Sequence, residues 1–136
     1  MSLEECVGLR YKLEKAADDN FDEIMGALGV NYVLRKLGNL VTPVMELLRD
    51  GDEWTVKVTT VVLNTVTKFR LGQEFDNVTP DGRRVKTTVT REGNKLFIVE
   101  RGDKVFKSVL EFSPEELVTV GELDNIVCRR RYKVIK

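Results

Sequence analysis

Near the end of the chain three arginines stand in a row, within the segment NIVCRRRYKVI at residues 125–135. Their neighbours decide what chemistry they can do. The segment alternates as a β-strand does: Ile126, Cys128, Arg130, Tyr132 and Val134 fall on one face, Arg129, Arg131 and Lys133 on the other. Two arginines can therefore face water, while Arg130 is placed among apolar neighbours. A guanidinium held there is costly unless something anionic or polar meets it. The pattern points to recognition of such a group.

Other chemistry is poorly supplied. Histidine is absent, which removes the commonest general base and the commonest metal ligand. The sequence holds no glycine-rich phosphate loop, no GxSxG and no paired-cysteine zinc pattern. The carboxylate pairs Glu4-Glu5, Asp18-Asp19 and Glu115-Glu116 sit in polar surroundings suited to solvated turns. Cys6 and Cys128 lie near opposite ends without metal-ligand spacing and are expected to be buried or partly buried thiols. No catalytic residue, metal or cofactor is expected.

The 22 basic residues are balanced by 22 acidic ones, so no global field draws the chain to nucleic acid, and alternation splits the arginine run that might imitate a basic signal. No segment reaches the length of a membrane span, and the first thirty residues lack a signal-type apolar run. A cytoplasmic protein is expected. With 136 residues the chain is long enough for one domain with a sizeable core and short for two, so residues 1–136 are read as one unit.

The elements that must position Arg130 are mostly strands. From about Pro43 onward, segments rich in Val, Thr, Phe and Ile are separated by the turn sequences RDGDE, LGQ, PDGR, REGNK, RGDK and SPEE. With the N-terminal GLRYKLEK they make about ten strands in antiparallel, up-and-down order. A sheet of that size curls and closes around an interior. Two short helices precede the meander. NFDEIMGALG is read as one, with Asp19 or Asn20 as N-cap and Gly29 as its end; NYVLRKLGN opens at Asn31 and is expected to stop at Gly38. They form a helical lid over about 19–38, too short to be stable unless packed on something.

In this order of elements the chain resembles the intracellular lipid-binding proteins, the fatty-acid-binding protein family. The matching pieces are YKLEK, NFDEIMGALGV, RKLGNLVTP, KFRLGQEFDNVTPDGRRVK, EGNKL and VCRRRYK, which together cover nearly the whole chain. The resemblance implies a ten-stranded antiparallel β-barrel of clam-shell form with a helix-turn-helix lid and a hydrophobic ligand inside. It implies that Arg130 and Tyr132, matching the family's Arg-x-Tyr pair on the last strand, meet the ligand carboxylate. Phe21, Met25, Val30 and Leu34 would line the portal end, with Pro43, Thr60, Val62 and Asp81 near the ligand or the portal.

Departures from the family pattern are specific. Leu110 stands where many relatives have a second inward arginine, and Glu100 where a glutamine is common. If Glu100 points inward it is expected to pair with Arg130 in the empty protein. Val62 replaces a portal phenylalanine, Tyr11 replaces a tryptophan, and EKAADDNF is longer by about two residues. The resemblance implies a non-catalytic, monomeric carrier of long-chain fatty acids, with transient membrane contact through Arg35 and Lys36 of the lid. The alternatives are a carrier of another hydrophobic anion (a retinoid, a bile acid or a sterol-like ligand), or a signalling or protein-interaction module on the same barrel.

Overall fold

In the computed structural model, which describes residues 2–14 and 20–135, turn chemistry cuts the chain into strands where the sequence suggests. A 3-10 turn (Leu3–Cys6) leads into β1 (Arg10–Glu14), followed by helices α1 (Phe21–Ala27) and α2 (Tyr32–Leu40). The meander then runs through β2 (Val44–Asp50), β3 (Glu53–Thr59), β4 (Asn64–Arg70), β5 (Phe75–Val78) and β6 (Arg84–Glu92). It ends with β7 (Lys95–Arg101), β8 (Val105–Phe112), β9 (Glu116–Leu123) and β10 (Ile126–Val134).

All ladders are antiparallel, in the order β4-β3-β2-β1-β10-β9-β8-β7-β6-β5. Pairing of β1 with β10, Leu13 opposite Tyr132, joins the two ends of the chain. Among the described residues no ladder joins β4 to β5, so the barrel is nearly closed. Both edges are poor templates for a foreign strand: β5 has only four residues, and β4 carries Lys68 and Arg70 on its exposed side.

The interior is not uniform along the barrel axis. Leu3, Cys6, Tyr11, Leu47, Trp54, Phe69, Val89, Leu96, Phe112 and Leu117 belong to one buried cluster. They come from the ends of β4, β6 and β8 and the starts of β3, β7 and β9, which antiparallel pairing gathers at one end, under the 3-10 turn. Toward the helices the inward positions become polar or half-buried: Thr87, Glu100, Ser108, Thr119 and Arg130. The apolar core closes one end, and the other end is left to the site.

The helices differ slightly from expectation. Asn20 precedes α1 but makes no capping bond; its backbone is left-handed at φ 62° and its side-chain amide donates to the Val127 carbonyl of β10 at 2.9 Å. Asp19, the other candidate cap, lies outside the described residues, as does most of the segment that carries the extra length before Phe21. Gly29 ends α1 as expected, at φ +89°, a conformation that a side chain would strain. Asn31 caps α2, accepting from the Leu34 N–H at 3.0 Å. Gly38, however, does not stop α2, which continues to Leu40. A methyl group there would stand 3.4 Å from the Phe21 ring and 3.5 Å from Met25 Cε, so this glycine serves helix-to-helix approach.

Candidate functional site

On β10 the alternation places Arg129 and Arg131 in water and Arg130 half-buried on the inner face. Arg131 is paired with Glu116 at 3.0 Å and Lys133 with Glu14 at 3.6 Å, both on the outside. Arg130 lies opposite Thr119 of β9, and Tyr132, buried, lies between Leu117 and Leu13. The two side chains stand two residues apart on one face of one strand, about 6–7 Å. Above them is α1: the Arg130 guanidinium carbon is 4.0 Å from the centre of the Phe21 ring. Because Asn20 ties the helix start to the Val127 carbonyl, Phe21 is delivered onto the arginine. The aromatic face supports the cation.

A second polar group occupies another wall. Glu100 of β7 is half-buried and lies opposite Thr87 of β6 and Phe106 of β8. Burial pushes its carboxyl pKa up; the charge of Arg83 pulls it down and that of Asp81 pushes it up again. The expected pairing of Glu100 with Arg130 is therefore corrected: the charges acting on Glu100 are Arg83 and Asp81. The register explains why. From Arg130 the rungs lead through Thr119 and Leu110 to Leu96, three strand spacings or about 14 Å of sheet, and Glu100 lies four residues further along, about 13 Å.

Asp81 and Arg83 close the β5–β6 turn. The Thr79 hydroxyl donates to one Asp81 oxygen at 2.7 Å and Arg83 Nε to the other at 2.6 Å. The Arg83 N–H donates to the Thr79 hydroxyl oxygen at 3.0 Å. Burial raises the Asp81 carboxyl pKa, but the hydrogen bonds from Arg83 and Thr79 outweigh it and hold the carboxyl below its usual range. Beside this turn, a groove of about 420 Å³ lies between the end of α1 at Leu28 and Gly29, the start of β6 at Arg83 and Val85, and the β7–β8 turn at Gly102 and Lys104.

A model of the lipocalin / cytosolic fatty-acid binding protein family matches residues 7–133. The chain belongs to that family. It is similar to a fatty acid-binding protein of the mite Tyrophagus putrescentiae, 44% identical over 124 residues, which are 90% of this chain and 93% of that one. Among solved structures, a fatty acid-binding protein from brain tissue of Drosophila melanogaster superposes with a TM-score of 0.89 at 44% identity, covering 94% of this chain and 98% of that one. A Schistosoma mansoni fatty acid binding protein in complex with arachidonic acid superposes with a TM-score of 0.92 at 30% identity over the full length of both chains.

Within this family barrel, the other residues singled out in the sequence are distributed between interior, lid and turns. Phe21 and Met25 are half-buried, Val30 is buried, and Leu34 is on the exposed side of α2. Pro43 is buried just before β2, and its carbonyl accepts from the Leu13 N–H at 3.0 Å. Leu110 is buried in the apolar cluster, a leucine at the site where an arginine would face inward. The Thr60 hydroxyl is used by its own turn, accepting from the Leu63 N–H at 2.8 Å and the Val62 N–H at 3.2 Å and donating to the Leu63 carbonyl at 2.8 Å. Val62 is exposed at the tip of that turn.

Arg35 and Lys36 part company. Arg35 is held to Asp22 of α1 at 3.2 Å, and Lys36 lies 5.4 Å from the centre of the Tyr32 ring. Sequence reasoning missed three contributors to the polar wall: Thr79, Arg83 and Thr87. Thr87 was detectable as a hydroxyl between Val85 and Val89 on the apolar face of RVKTTVTR. Arg83 was hidden in a turn sequence that reads as solvent. Glu4 is exposed in the 3-10 turn, as its sequence surroundings suggest, but its partners were not foreseen: its carboxylate accepts from Arg91 at 2.6 and 2.7 Å and from Arg49 at 3.2 Å, and both guanidiniums lie over the Trp54 ring.

Proposed function

We propose that this chain binds a long-chain fatty acid within the barrel and carries it through the cytosol, with Arg130 and Tyr132 receiving the carboxylate. The observation that carries the reading is the half-buried Arg130, turned inward beside buried Tyr132 and roofed by Phe21, in a chain whose relatives are named for fatty acid binding. Two donors of different kinds then meet one carboxylate: a charged planar fork and a neutral O–H. The activity is capture and release, without a bond made or broken.

The acyl chain supplies most of the affinity. About fifteen methylenes at about 0.8 kcal/mol each offer on the order of 12 kcal/mol before association costs. The head-group contact then sets orientation and selects acids over neutral lipids. Replacing Arg130 by Gln should therefore weaken fatty-acid binding about tenfold or more while changing methyl-ester binding little, since only the carboxylate uses the charge. Equal losses for acid and ester in a titration would refute the assignment, and binding of a retinoid or sterol in preference to fatty acids would redirect the ligand class.

Delivery follows from the surface of the lid. Tyr32, Val33 and Leu40 of α2 and Val61, Val62 and Leu63 of the β3–β4 turn are exposed, and Lys36 is exposed beside Tyr32. These groups suit brief contact with an anionic bilayer, where each basic residue adds roughly 1 kcal/mol. Arg35, paired with Asp22, contributes less. A monomer delivering its cargo in this way should transfer a fluorescent fatty acid faster as vesicle concentration and anionic lipid content rise. A rate indifferent to both would indicate release into water.

A further inference from the structure

One buried polar atom is left over by the fold. The Thr87 hydroxyl is shielded from water, with the residue 2% exposed, and has no hydrogen-bond partner among the described residues. A buried unpaired hydroxyl is a standing cost. Thr87 lies on the inner face of β6 between Val85 and Val89, opposite Glu100 of β7 and Phe75 of β5. Its neighbour Glu100 brings a second polar group to the same wall, about 5 Å away between Cβ atoms. Neither is needed by the carboxylate site, which lies on β10, four strands from Thr87 and three from Glu100 in the sheet order.

We infer that Thr87, with Glu100 beside it, forms a second polar subsite that takes an oxygen function on the acyl chain, so that the protein prefers fatty acids bearing a mid-chain hydroxyl over their unsubstituted counterparts. This inference rests on the fatty-acid reading above and specifies its substrate. A ligand hydroxyl can both accept from and donate to neighbouring oxygens. It satisfies the orphaned Thr87 hydroxyl and reaches the Glu100 carboxyl, whereas a plain methylene leaves both as they are. Selection comes from the gain made with the matching oxygen, because the site's own group stays unpaired when that oxygen is missing.

The test compares stearic acid with a mid-chain hydroxystearic acid by calorimetric titration of the full-length protein. The hydroxy acid should bind more tightly to the unmodified chain. Thr87→Val should erase about three- to tenfold of that advantage while leaving stearate affinity within about twofold, and Thr87→Ser, which restores a hydroxyl, should recover it. Thr87→Ala serves as a second hydroxyl-deleting variant if valine disturbs the fold, judged by the thermal midpoint. A preference absent from the unmodified protein, or one that survives both deletions, overturns the subsite while the carrier reading stands. Failure of both acids to bind any of these proteins overturns the carrier reading and the subsite with it.

Discussion

The Glu100 carboxyl is half-buried in a barrel wall, under the influence of a positive Arg83 and a negative Asp81. Burial raises its pKa above the usual 4.5. A raised acid favours the folded state when protonated; that contribution is fully present below about pH 4.5, the unfolded value, and is lost as pH rises through the folded pKa. Glu100→Gln should therefore raise the thermal midpoint at neutral pH, with the gain over the unmodified protein shrinking to nothing as pH falls to about 4.5. A constant gain across that window would assign the effect to packing. Arg130 differs in having an aromatic support, Phe21, supplied by another element.

That support depends on how the helices sit. Helix α1 packs on β9, β10 and α2, whereas none of the α2 residues is buried, so α2 is the more easily detached element. Its integrity depends heavily on local terms: the Asn31 cap and the Arg35–Asp22 contact to α1. Asn31→Ala removes a cap worth about 1 kcal/mol. Since the cap is exposed and local, the expected result is faster release of a bound fatty acid, about fivefold by stopped-flow displacement, with the global unfolding midpoint nearly unchanged. An unchanged release rate would show that ligand leaves by a route other than past α2.

The barrel as a whole is tied at the end away from the helices. Glu4 reaches Arg49 of β2 and Arg91 of β6, so one carboxylate joins strands on opposite sides of the chain's closure, and Trp54 is packed beneath both guanidiniums. The hydrogen bonds from Arg91 are the main reason its pKa falls from 4.5 to about 2. A lowered acid stabilises the folded state above its unfolded pKa, and that contribution disappears as pH falls from about 4.5 through about 2. Glu4→Gln should thus lower the denaturation midpoint at neutral pH, and the two proteins should converge below about pH 2. Divergence that persists in acid would give Glu4 a role other than this bridge. The sign is opposite to that of Glu100, so the two ends of the barrel respond to acid in opposite directions.

The sequence by itself determined the ten strands, because Asp-Gly, Asn and Gly turns punctuate segments with a period of two, and the inward aim of Arg130, because alternation assigns every residue of a strand to a face. It also determined the start of α2 at Asn31, a cap whose bond spans three residues. It did not determine the end of α2, since Gly38 looks like a stop until Phe21 and Met25 are brought against it. Nor did it determine the partners of Glu100, Arg83 and Thr87, which depend on rungs between β6 and β7 and on a turn folded over them. The partners of exposed Glu4 were out of reach for the same reason: its arginines are 45 and 87 residues away. Local sequence encodes face and turn through backbone geometry, whereas partner choice among charges depends on which strands the closed barrel sets side by side, and only the tertiary structure decides that.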